Sequence, residues 1–182
     1  MNVDQADPAE LALLRTAFED AGSPLGWEAV RAFEAEHGIV LPEPYRTCVA
    51  EISDGCEQGP PEYGLLPLAD MPGDWGAGRD ERTLALPFPL SEGWMWDADD
   101  DIDSDDDVPD AVFDHGSVVL GTDGCGMYWH LVVSGPQRGH IWWISGEGAA
   151  PFGGDTGIVK GEPGFAAWVV HWVSGKDWYD ED

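Results

Sequence analysis

Positive charge is the scarcest property of this chain. Eight lysines and arginines stand against 36 aspartates and glutamates, for a formal net charge of −28. The bases, Arg15, Arg31, Arg46, Arg79, Arg82, Arg138, Lys160 and Lys176, are scattered rather than clustered. Affinity for a phosphate backbone comes from grouped cationic side chains that release counterions. Direct nucleic-acid binding is therefore not expected, and neither is adhesion to an anionic membrane. The field favours a basic partner and speeds its encounter; solubility is the competing use of the same charge.

Cysteine is also sparse. Cys48, Cys56 and Cys125 are odd in number and lack paired spacing, which does not read as a disulfide framework. Free thiols suit a reducing compartment. The opening stretch "MNVDQADPAE" has no basic region followed by an apolar one, so no secretory signal is expected. No apolar run approaches the length of a membrane-spanning helix. A cytoplasmic protein is the expectation.

What is present is globular. The chain of 182 residues is 43% hydrophobic and carries ten tryptophans, enough for a sizeable core in one domain spanning 1–182. A first helix starts at "DPAE", with Asp7 as cap, Pro8 at the first turn and Glu10 placed for a capping box. Leu11, Leu14 and Phe18 follow on one face, and Gly22 offers a left-handed stop. "SPLGWEAVRAFEAEHG" repeats the pattern, with Gly38 as its stop. Tyr45, Cys48, Val49 and Ile52 form the apolar stripe of a third helix, which makes Cys48 a core thiol.

After residue 56 the pattern changes. "YGLLPL" reads as a short strand, residues 70–83 as a loop, and "LALPFPL" as an edge or extended segment because of its two prolines. "SVVLG", "MYWHLVVSG" and "GHIWWISG" read as strands, the last two joined through "SGPQRG" as a hairpin. In the middle strand Trp129, Leu131 and Val133 share one face, and Tyr128, His130 and Val132 the other. Neither face is polar, so part of this strand is expected to be covered on both sides. Phe165, Trp168, Val169 and Trp172 mark a closing helix that ends at Gly175, followed by an acidic tail, 176–182, expected to fray. Helices, then strands, then one helix predict an α+β fold with a mostly antiparallel sheet.

Chemistry is hard to assemble from these residues. A nucleophilic cysteine needs a nearby cation, a helix N-terminus or a paired histidine. Cys125 precedes a strand, has Asp123 two residues away, and lies five residues from His130 along an extended chain. "TDGCG" reads instead as a strand-connecting turn. His37, His115, His130, His140 and His171 show no metal-ligand spacing; His130 and His140 could meet across the hairpin, but further zinc ligands are not supplied. No phosphate-cradling loop and no G-x-S-x-G elbow occur. No cofactor is implied.

The acidic run "DADDDIDSDDD" places Asp101, Asp103 and Asp105 like the first ligands of a calcium loop. Asp106 stands where the sharp-turn glycine belongs, and Val112 where the bidentate glutamate belongs, so this is not such a loop. The run is either a solvated, self-repelling loop or a patch offering Asp99, Asp100, Asp101, Asp103, Asp105 and Asp106 to a basic protein. Trp94 and Trp96 adjoin it, as core residues or as anchors of such a contact.

One longer pattern is familiar. "WEAVRAFEAEHGIVLPEPYRTCVAEISDG" resembles the opening motif of the SUKH superfamily, Smi/Knr type, named after a fungal regulator of cell-wall synthesis. The matching residues are Trp27, Phe33-Glu34, Gly38, Leu41-Pro42, Tyr45 and Asp54-Gly55. "LGTDGCGMYWHLVVSGPQRGHIWW" is similar to that family's central hairpin, and "PGFAAWVVHWV" to its closing helix, over a core of about residues 23–175. The segment 97–110 stands out as an acidic insert. The resemblance implies a non-enzymatic binding role. Many bacterial members resemble immunity proteins that bind and block a toxin's catalytic domain, often a nuclease. The partner so implied is a cognate protein toxin with a basic surface, of unspecified stoichiometry. A cytoplasmic regulatory scaffold, as in the fungal branch, is the alternative, and a cysteine-dependent hydrolase the remote one.

Overall fold

A computed structural model describes residues 2–76, 82–95, 108–155 and 157–178, with the side chains of 108 and 109 excepted. Three helices come first: α1 (Pro8–Ala17), α2 (Trp27–His37) and α3 (Tyr45–Glu51). Then follow β1 (Trp94–Met95), α4 (Val108–Asp114), β2 (Ser117–Gly124), β3 (Met127–Val132), β4 (Ile141–Ser145), β5 (Gly148–Pro151) and α5 (Phe165–Val173). The five strands form one antiparallel sheet in the order β1-β5-β4-β3-β2. The fold is α+β, with helices from both ends of the chain packed on the sheet.

The alternation in the strands sorts their side chains into two cores. Val118, Leu120, Trp129, Leu131 and Ile141 face a cluster shared with Leu14 of α1, Val30 of α2, Tyr45, Cys48 and Val49 of α3, and Phe165, Trp168 and Val169 of α5. Val119, Tyr128, Val132, Trp142 and Ile144 face a second cluster with Phe88 and with Val112 and Phe113 of α4. The central strand β3 is therefore covered on both sides: Trp129, His130 and Val132 are all 0% exposed. A strand buried on both faces has no polar side to show, as the sequence implied.

Two charged groups lie inside and each is tied down. Glu34 of α2 takes Arg46 of α3 in a two-pronged pair, at 2.7 and 2.8 Å, and also accepts the Leu41 N–H at 2.9 Å. Burial pushes the Glu34 carboxyl upward, but the Arg46 hydrogen bond, the Leu41 N–H and the charges of Arg46 and Arg31 outweigh it and leave the pKa lowered. Arg82 bridges α4 to β2. Its guanidinium donates to the Phe113 carbonyl at 3.2 Å and to the Ser117 carbonyl at 2.7 Å, and lies over the Trp75 ring. Burial lowers its pKa to about 10 against the opposing pull of Asp114. The Ser117 hydroxyl in turn meets His130 Nδ1 at 2.9 Å.

Several boundaries differ from expectation. Asp7 does cap α1, accepting the Ala9 N–H at 2.8 Å, but the helix stops at Ala17 rather than running to Gly22. Phe18 already turns down into the core there. Gly38 ends α2 in the left-handed conformation, as expected. "YGLLPL" is not a ladder strand: Leu65 makes an isolated bridge to Cys56, and Leu66 donates to the Leu120 carbonyl of β2. The proline and glycine of that stretch allow single pairings and no longer run. β1, α4 and β5 were not anticipated, being two, seven and four residues long. The tail does not fray at its start, because Trp178 is buried at 7% exposure.

Replacing Glu34 with Gln should cost about 2 kcal/mol at neutral pH, since it removes the charge from two charge-assisted hydrogen bonds. Because the folded-state pKa is lowered, that stability is present above the ordinary carboxylate range and lost as pH falls through the folded value. Chemical denaturation of the two proteins should therefore converge toward acid.

Candidate functional site: an acidic cleft at the helix ends

The segment leaving α3 is fastened on two sides. The Ser53 hydroxyl donates to the Gly55 carbonyl at 2.6 Å, and the Asp54 N–H donates to the Ser23 carbonyl at 3.1 Å. Asp54 Oδ1 accepts the Leu68 N–H at 2.8 Å. Cys56 and Leu65 exchange both backbone hydrogen bonds at 2.8 Å. These bonds hold residues 53–59 between the α1–α2 connection and the 65–70 segment, and leave an open cleft of about 900 Å³.

The chemistry of this cleft is one-signed. Glu19, Asp20, Asp54, Glu57 and Asp70 line it, over apolar surface from Ala17, Ala21, Leu65 and Trp172. Among the described lining residues there is no lysine, arginine or histidine. The C-terminal ends of α1 and α5 also reach it, at Ala17 and Val173. A helix C-terminus carries the negative end of the macrodipole, so both helices reinforce the field of the carboxylates. Partial burial pushes the Asp54 pKa upward; the Leu68 N–H opposes this and the nearby Asp70 charge adds to it. The floor is aromatic. The Trp172 indole lies against Gly59, where a Cβ would stand 2.7 Å from the ring, so only glycine fits. Acids around a half-buried indole suit a guanidinium or ammonium group, which gains from the charges and from the ring together.

Cys125, weighed as a nucleophile, lies in the strand-connecting turn that the sequence predicted. Cys125 and Gly126 form the two-residue turn between β2 and β3, with φ of 54° and 76°. Two positive φ values are what a tight hairpin of matching twist requires. The Cys125 thiol is exposed at that tip, whereas His130 is wholly buried and engaged with Ser117. The structure keeps the two apart. Cys48 is buried and its thiol pushed up to about 12 by burial. His140 meets the Gln137 carbonyl rather than His130, which pairs in register with Trp142. Among the described residues no group of three or more His, Cys, Asp or Glu is placed to hold a metal ion, and no helix is long and apolar enough to cross a membrane.

Of the proposed docking residues, Trp94 lies on β1 opposite Ala149, half-buried against the second core cluster. Trp96, Asp99, Asp100, Asp101, Asp103, Asp105 and Asp106 lie outside the described residues. Sequence reasoning missed the cleft. Its acids are separated by up to fifty residues of chain, and only the helix stops and the Asp54-Gly55 turn hinted that they converge.

Asp54 makes the cleft testable through stability. Its raised pKa means that the ionised carboxylate carries a penalty, present above the folded-state pKa and removed below the unfolded one. Asp54→Asn keeps an acceptor for the Leu68 N–H and removes that penalty. Its melting temperature should exceed that of the wild type at neutral pH, and the gap should close as pH falls through the carboxylate range.

Nothing among curated proteins and nothing among solved structures matches the chain. The model of the SMI1 / KNR4 family (SUKH-1) does match, over residues 24–170. That span runs from just before α2 into α5 and takes in the whole sheet. This chain belongs to the SMI1 / KNR4 family (SUKH-1).

Proposed function

We propose that this protein is a cytoplasmic immunity protein that binds the catalytic domain of a polymorphic toxin and neutralises it by occlusion, with no catalysis of its own. The observation that carries this reading is the acidic cleft: five carboxylates and two helix C-termini converge on one concavity, with no lysine, arginine or histidine among its described lining residues. A nuclease domain is basic where it holds phosphate, and a partner of net charge −28 imitates the polyanion it would otherwise bind. Steering of this kind raises association rates and makes them salt-dependent. The aromatic floor then supplies short-range contact.

A cleft of this size seats a loop or a short segment, not a whole interface, which needs roughly 1,600 Å² of buried surface. The acidic run supplies a second contact region in this reading, with Asp99, Asp100, Asp101, Asp103, Asp105 and Asp106 as charges and Trp94 and Trp96 as anchors. The competing role of a regulatory scaffold has no toxin to neutralise, so one assay separates the two.

The immunity reading requires a toxin gene beside this one, and co-expression of this protein with that toxin domain should restore growth of the host cell. Growth arrest despite normal levels of this protein would sink the immunity reading. The triple variant Asp54→Asn, Glu57→Gln, Asp70→Asn should bind the toxin at least tenfold more weakly, with a flatter dependence on salt; unchanged affinity would remove the cleft from the mechanism. Replacing the six aspartates of the acidic run with Asn should likewise weaken binding and flatten its salt dependence, measured by titration calorimetry across ionic strength.

A further inference from the structure

The described chain does not end with α5. After Val173 it turns at Gly175, where φ is 70°, and doubles back so that Trp178 is buried. The return is pinned locally. The Ser174 hydroxyl donates to the His171 carbonyl at 2.7 Å, the Gly175 N–H to the Trp172 carbonyl at 2.9 Å, and His171 Nε2 meets the Asp177 carbonyl at 2.9 Å. Trp178 then lies nearly parallel to three rings of α5: Trp168 at 15°, His171 at 20° and Trp172 at 24°. It also meets Trp129 of β3 at 4.7 Å between centroids.

Trp172 is the ring that joins this stack to the cleft. It touches Gly59 of the cleft wall and Trp178 of the tail, the latter at 5.7 Å between centroids. An indole at a helix end rotates about two side-chain torsions unless neighbours hold it. Gly59 presents only backbone, so it limits how close the ring comes and does little to fix its tilt. The stacked Trp178 ring supplies that second constraint, because offset parallel rings gain energy only over a narrow range of orientations.

We propose that residues 174–178 form a strap, and that Trp178 is a positioning residue that fixes Trp172 as the aromatic floor of the cleft. This rests on the cleft being the docking site. Trp178 touches no partner in this scheme. It acts by presenting a pre-set ring to an incoming cationic side chain, which avoids the cost of ordering that ring during binding. Loss of the strap then weakens the cleft without altering its charge.

The test uses the full chain labelled with 5-fluorotryptophan and a fluorescent octa-arginine peptide as probe. In Trp178→Leu the ¹⁹F resonance of Trp172 should shift or broaden, and peptide affinity should fall roughly three- to tenfold. The slope of log Kd against log salt should stay at the wild-type value, because no carboxylate has been removed. In Trp178→Phe, which keeps a stacking ring, the Trp172 resonance should move measurably while affinity stays within about twofold. A Trp172 resonance superimposable on wild type in either variant overturns the strap, and so does a Phe variant as weak as the Leu variant. If the Leu variant does not fold, the Phe variant alone decides. If octa-arginine fails to bind the wild type, the cleft reading falls, while the Trp172 resonance still tests the positioning.

Discussion

The constraint on which this structure depends is that its central strand has no face to give to water. Trp129 and Leu131 on one side of β3, and Tyr128, His130 and Val132 on the other, are all buried. A sheet with such a strand needs a cover on each side. α1, α2, α3 and α5 cover one face, and α4 with Phe88 covers the other. The buried polar groups follow from that choice. His130 cannot face solvent, so it meets Ser117, and Arg82 satisfies the Ser117 and Phe113 carbonyls where α4 approaches β2.

The same division explains how a chain with so little positive charge holds together. Two of its arginines tie down interior polar groups. Arg46 neutralises the buried Glu34, and Arg82 satisfies carbonyls between two elements. Most of the described carboxylates stay at the surface, where water screens them. In the cleft several lie together, and there the backbone bonds of Ser53, Asp54 and Cys56 hold the walls in place. Asp54 carries a cost there: partial burial, with the Asp70 charge adding to it, disfavours its ionised form.

Much of the architecture was legible in the residues. The period-two pattern in "MYWHLVV" predicted a strand with two covered faces, and the helical spacing of Tyr45, Cys48 and Val49 predicted a buried thiol; both hold. The Asp-Gly-Cys-Gly turn was likewise readable, because glycine and short polar residues mark positive φ. What escaped were the short pieces. β1, β5 and α4 are fixed by their neighbours: Gly148 and Ala149 pair because β4 and β1 are already there. The cleft escaped for a related reason. Glu19, Asp54 and Asp70 are ordinary surface acids one at a time, and only the folding of the α1–α2 and α3–β1 connections onto one spot brings them together. Trp178 was hidden by its acidic neighbours, whose composition reads as a frayed end.

The division of labour between sheet and cleft has an evolutionary corollary. Glu19, Asp20, Glu57 and Asp70 lie on connections, solvent-exposed and outside both apolar clusters. Exchanging such residues typically shifts stability by only about half a kilocalorie per mole. A lineage holding this scaffold can thus rewrite the charge of the cleft one surface residue at a time, while the tryptophan-filled interior stays untouched.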